Sequence, residues 1–242
     1  MSRTDRRNFI KVSVFGGIAL TMPFPMDTFG SIITSAPECS RVSITTGADR
    51  ADMAFRALQP FAKEIKKAIG NRKVIIKPNN NDLNVPLAGT HADTLEGALE
   101  FLKSIDRLDN VVIAESGACG PTFDGFAKFG YFSLADKYPV KFVDFDKEAY
   151  EVLHVFDETD CRPHPIKIAK MMLDPDSFIV SVARFKTHDR VVATLSLKNV
   201  VFGSPIKDSD FTWGHFGKGD LTSQKPILHG GGSRGTNYNL YA

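Results

Sequence analysis

The 242-residue chain carries 30 Lys and Arg against 28 Asp and Glu, a formal net charge of +2, and its basic residues form no blocks. That balance gives no electrostatic footing for a nucleic-acid partner. The three cysteines, Cys39, Cys119 and Cys161, contain no C-x-x-C, which argues against zinc ribbons, ferredoxin clusters and thioredoxin chemistry.

The chain opens with Asp5-Arg6-Arg7-Asn8-Phe9-Ile10-Lys11, followed by an apolar stretch from Val12 to Met26. Basic, then apolar, then small and polar is the order of an export address rather than of a folded element. Gly16-Gly17 and Pro23/Pro25 make a poor globular helix. The apolar run is also shorter than the roughly 20 residues a membrane span needs. Arg6, Arg7, Phe9 and Lys11 resemble the twin-arginine translocation signal, whose form is Arg-Arg, any residue, Phe, a branched aliphatic, Lys. The resemblance implies the twin-arginine translocase as a partner, and cargo that crosses folded, often with a cofactor inside. Thr34-Ser35-Ala36 offers small residues for cleavage, whereas Pro37 hinders it. Two destinations therefore stay open, the periplasm or membrane anchorage through an uncut signal, with membrane contact through this segment alone. Residues 1–40 are expected to be signal and linker, and 41–242 a single domain with one sizeable core.

Beyond the signal, Val42 to Gly47 alternates and predicts a strand. Ala54, Leu58, Phe61, Ile65 and Ile69 recur at helical spacing and predict one helix over 52–69, closed by Gly70-Asn71. Val74-Ile75-Ile76 has the continuous apolar character of a strand buried on both faces. A helix over 93–104 and a strand over 111–114 follow. A glycine-rich loop then runs from Glu115 to Gly125, leading to a helix over 126–137 and a strand over 140–144. Lys167 to Met172 is read as helical and 178–182 as another buried strand. Asp189 is expected to cap a helix from Arg190, with Arg190, Thr194 and Lys198 on one face, Val191, Leu195 and Phe202 towards the core, and Gly203 as its stop. The alternation predicts an α/β fold, a three-layer, mostly parallel sheet with helices on both faces.

Ligands in such sheets bind beyond the carboxyl ends of the strands. Those ends carry Lys77-Pro78-Asn79-Asn80-Asn81, Glu115-Ser116-Gly117, Asp144 with Asp146, and Arg184-Phe185-Lys186-Thr187-His188. Lys77, Lys186 and Lys198 are candidates to hold an anion. Asn79 and Asn199 would orient it. His188, which titrates near neutrality, is the candidate catalytic residue, as acid, base or metal ligand. An oxidising compartment allows one disulfide, with Cys119–Cys161 the candidate pair. Asp160-Cys161-Arg162-Pro163-His164 has metal-ligand types inside a proline-rigid turn. Competing motifs fail: Ala114-Glu115-Ser116-Gly117-Ala118 has alanine where a nucleophile elbow needs glycine, and the loop from Glu115 to Gly125, which follows a strand, lacks G-x-G-x-x-G.

Lys77-Pro78-Asn79, Lys186-Thr187-His188 and Thr194-Leu195-Ser196-Leu197-Lys198-Asn199 with Gly203 resemble domain-of-unknown-function family 362. The likeness spans about residues 40 to 240, and Lys207, Lys225 and His229 continue its lysine and histidine series. It implies a further strand and an acidic, glycine-rich loop beyond this sequence, so a truncated, inactive family member is one expectation. The others are an enzyme acting on an anionic small molecule by proton transfer or metal-assisted redox, and a non-catalytic protein delivering a metal or cofactor to another exported enzyme.

Overall fold

The computed structural model describes residues 40–118, 120–156, 162–188 and 192–207. The chain divides after Val42, and the elements below belong to Ser43–Ala242. Arg6, Arg7, Phe9 and Lys11, expected to belong to an export signal, the candidate disulfide partners Cys119 and Cys161, and Asp160 lie outside the described residues, as do Lys225 and His229.

The first helix, α1 (Arg50–Leu58), starts where the Asp49 carboxylate accepts hydrogen bonds from the Ala51 and Asp52 amides at 2.8 and 3.0 Å. Pro60 prevents one continuous helix: a 3-10 turn over Gln59–Phe61 separates α1 from α2 (Ala62–Ile69). Gly70, at φ +55°, closes α2 in a conformation most side chains avoid. Then come β1 (Lys73–Pro78), α3 (Ala92–Ser104), β2 (Val111–Glu115), α4 (Thr122–Lys128) and β3 (Lys141–Asp144). A hairpin of β4 (Tyr150–Phe156) and β5 (Pro163–Ala169) leads to β6 (Ser177–Val182). A second hairpin, β7 (Lys186–His188) with β8 (Val192–Thr194), precedes α5 (Ser196–Gly203).

Four parallel strands form the central sheet in the order β3-β2-β1-β6. The alternating side chains of the strands feed two cores. Val74, Ile76, Val111 and Ile113 face a cluster built with Leu95, Leu99 and Phe126 of α3 and α4, against which Phe55, Leu58 and Ile65 of α1 and α2 pack. Ile75, Val112 and Ala114 face a second cluster with Ile166 and Ile168 of β5 and Phe202 of α5. The fold is thus α/β in three layers. One outer layer is helical, and the other combines a β-hairpin with a single helix. Burying each large apolar side chain contributes about 1.5–3 kcal/mol. Gly97 lets α3 approach α1 closely, because a Cβ there would lie 2.2 Å from the Ala51 carbonyl oxygen.

Four expectations are corrected. Residues 42–47 form no strand: Ile44 is 86 % exposed and finds no ladder partner, and alternation without a partner makes no sheet. The helix expected over 167–172 is the end of β5 plus a 3-10 turn, Lys170–Met172. Ile166 and Ile168 alternate with Lys167 and reach the second core only with strand periodicity. The helix expected over 126–137 ends at Lys128, and Gly130 (φ +76°) starts a separate 3-10 segment, Tyr131–Asp136. Finally, the helix expected to reach Gly203 starts late; its expected cap Asp189 and first residues Arg190 and Val191 lie outside the described residues. Val192-Ala193-Thr194 pairs with Lys186-Thr187-His188 as strands, the helix begins at Ser196, and Leu195 is exposed rather than in the core. β-Branched residues at 192 and 194 suit the extended chain.

Candidate functional site

The order of the parallel strands reverses at β1. From β1 the chain moves outward through β2 to β3, then crosses to β6 on the other side of β1. The crevice beyond the carboxyl ends of β1 and β6 is therefore the topological switch point, where open α/β sheets take their ligands.

Two residues join these strand ends. The Thr90 hydroxyl donates to the Val182 carbonyl at 2.5 Å and accepts from the Asn79 amide at 2.9 Å. Asn199, on α5 and almost wholly buried, reaches over them from the other layer. Its Nδ2 donates to the carbonyls of Lys77 and Pro78, both at 3.2 Å, and to Ser181 Oγ at 3.1 Å, while its Oδ1 accepts from Asn79 Nδ2 at 3.4 Å. Asn79 and Asn199, 120 residues apart in sequence, are brought together as expected of residues sharing one edge. Asn79 Oδ1 and its neighbour Asn80 Oδ1 are buried without a hydrogen-bond partner in the structure. Such atoms are uncommon in folded proteins and call for an explanation.

Lys77 takes a different place from the one its sequence position suggests. It is wholly buried, and its Nζ donates to Glu115 Oε1 at 2.5 Å. Burial holds the ammonium below the usual lysine range, partly offset by the Glu115 charge. Glu115 also accepts from the backbone amides of Ser116 (2.9 Å) and Asn80 (3.3 Å), so the loops after β1 and β2 are tied to one carboxylate. Gly203 is the other requirement of this pair: a Cβ there would lie 2.3 Å from Lys77 Nζ. The glycine read as a helix stop is needed for the close passage of α5 over Lys77. It has no positive φ, so it is no left-handed cap.

The buried polar assembly continues towards β3. Asp146 accepts from the Ser116 hydroxyl at 2.5 Å, from Thr122 Oγ1 at 3.3 Å, and from both the amide and the ammonium of Lys207, at 2.8 and 2.5 Å. Asp144 accepts from the Asp146 amide at 3.1 Å, and burial raises its carboxyl above the ordinary aspartate range. Sequence reasoning reached Glu115, Asp144 and Asp146 only as strand-end charges, and Lys207 only as part of the lysine and histidine series of the family likeness. It missed Thr90, whose one available signal was a polar residue just before a helix.

Lys186 is half-buried in β7, opposite Thr194. Lys198, half-buried on α5, holds its ammonium 5.4 Å from the Phe202 ring centroid. His188 is placed by its backbone at the end of β7, and its side chain lies outside the described residues. Among the described residues there is no group of three or more His, Cys, Asp or Glu able to hold a metal, and no helix long and apolar enough to cross a membrane.

A match over residues 74–229 to the family described as Domain of unknown function (DUF362) covers most of the chain and all of this edge. The chain belongs to that family. No curated protein and no solved structure matches it. Within this family member the Lys-Pro-Asn and Lys-Asn segments meet, because Asn199 is hydrogen-bonded to Asn79 and to the carbonyls of Lys77 and Pro78.

Proposed function

We propose that this DUF362 protein is exported through the twin-arginine translocase and binds an anionic small molecule or cofactor at the carboxyl edge of its sheet. In this reading it works in the periplasm or at the membrane that its signal contacts. The observation that carries the binding proposal is the switch point between β1 and β6, where Asn79 keeps a buried carbonyl oxygen without a partner beside the Asn199 bridge. Lys186 and Lys198 supply positive charge to the ligand. Asn79 and Asn199 orient it, and His188 moves a proton or ligates a metal. Lys77 acts from beneath, holding Glu115 and through it the backbone of Asn80 and Ser116.

Native mass spectrometry with metal analysis, on protein recovered from the exported fraction, tests the reading directly. A bound anion or cofactor is the expected result. His188→Ala should then abolish turnover while the ligand stays bound. A silent His188→Ala alongside loss of the ligand in Lys198→Ala would instead identify a carrier that delivers its cargo without chemistry. Protein from that fraction with nothing bound, and with no affinity for small anions, would overturn the proposal.

A further inference from the structure

An open cleft of about 340 Å³ lies on the β6 side of the switch point. Its lining draws on three parts of the chain: the start of α1 with the segment before it, the start of α3, and Ala183-Arg184-Phe185 just after β6. Among the described lining residues, three side chains are basic, Arg50, His91 and Arg184, and none is a carboxylate. Among the described residues neither arginine has a hydrogen bond or an ion pair.

Three described carboxylates close in sequence to the lining residues face partners other than the two arginines. Asp49 caps α1, Asp52 takes Arg56 at 2.8 Å, and Asp93 faces His91 Nδ1 at 3.2 Å. Among the described residues, no carboxylate is therefore paired with Arg50 or Arg184. The floor is rigid, because Thr90 is fixed by Asn79, by Val182 and, through its carbonyl, by the Tyr131 hydroxyl at 2.6 Å. The remaining wall is apolar: Met53, Ala54 and Ala57 along α1, and Phe185, which is 79 % exposed.

We propose that this cleft is a binding site for a small organic anion with a phosphate or carboxylate head and a flat, apolar body. The guanidinium fork matches such heads in two-point hydrogen bonding, which an ammonium cannot reproduce. An exposed phenyl ring beside an apolar helix face offers the body a surface to lie against. The proposal rests on the reading of the carboxyl edge as an anion site, and it names the ligand class and the arginines that would select it.

Isothermal titration of the full chain with phenyl phosphate, benzoate and inorganic phosphate tests it. Phenyl phosphate and benzoate should each bind at least tenfold more tightly than inorganic phosphate. Arg184→Ala and Arg50→Ala should each weaken phenyl phosphate at least tenfold, and Arg184→Lys should recover only part of the loss. Phe185→Ala should remove the advantage of the aromatic probes while leaving inorganic phosphate unchanged. Lys141→Ala, exposed on the far edge strand, should bind as the parent does. Equal affinity for the three probes, or arginine variants that bind like the parent, overturns the assignment. If Lys186→Ala or Lys198→Ala loses phenyl phosphate while the arginine variants keep it, the anion site at the edge stands and its placement in this cleft is wrong.

Discussion

On the β2 side of β1, the charges at the carboxyl edge are buried and paired: Lys77 with Glu115, and Lys207 with Asp146. On the β6 side, Arg50 and Arg184 face solvent across an open cleft with no partner among the described residues. Both regions sit at the same end of the same sheet, yet they obey different physics. A buried charge requires a partner, since desolvation costs several kcal/mol per ion. An exposed charge keeps its water and can exchange it for a ligand. The paired side is suited to holding loops in place, and the unpaired side to recognition.

The sharpest way to break the contrast is to remove one member of the buried pair. Lys77→Ala leaves Glu115 buried and uncompensated, and chemical denaturation should register a loss of about 3–5 kcal/mol. Replacing both residues together, Lys77→Met with Glu115→Leu, should recover much of that loss. If the single variant is as stable as the parent, the buried pair does not hold the two loops in place.

Gly203→Ala comes next. The new methyl meets the Lys77 ammonium, and overpacking of this kind costs about 1–3 kcal/mol. The same substitution in a Lys77→Ala background should cost clearly less, because the obstructing atom is gone. Additive losses would show that the glycine serves another purpose.

Asp144 gives a smaller, pH-dependent effect. Its folded-state pKa is raised, so the folded protein binds more protons than the unfolded chain between the ordinary aspartate value and the raised one. Its contribution to stability therefore declines as pH rises through that window. Asp144→Asn keeps an oxygen to accept from the Asp146 amide, removes that slope, and should be at least as stable as the parent at neutral pH. A denaturation series across mildly acidic pH checks the sign.

The smallest effect belongs to the open side. Arg50→Ala and Arg184→Ala should each change stability by no more than about 0.5 kcal/mol, as surface positions without partners do. A large loss from either would mean that its charge is already used by the fold.

Much of the fold was legible in the sequence. Val74-Ile75-Ile76, Val111-Val112-Ile113 and Phe178-Ile179-Val180 read as buried strands and form three of the four strands of the sheet. The failures share a cause. Lys167-Ile168 and Val192-Ala193-Thr194 are short segments whose state is set by what they pair with, and the partners are supplied by Tyr150–Phe156 and Lys186–His188. Pro60 was a local breaker that periodicity alone overrode. At the site, Asn79 and Asn199 were identifiable as polar residues at one edge, and the structure joins them. Arg50 was invisible, because nothing before α1 indicates that its start lies beside the end of β6.

By itself, the sequence determined the class of fold and the edge at which polar residues collect. These depend on local spacing and composition, which survive without knowledge of the partners. Tertiary structure alone decided what each charge does. Lys77 and Lys186 look alike as lysines at strand ends, but the parallel register of β1 and β2 carries Lys77 under α5 and against Glu115, 38 residues away. That register is a non-local property. It also decides which cations are neutralised inside the protein and which remain at the open cleft beside β6.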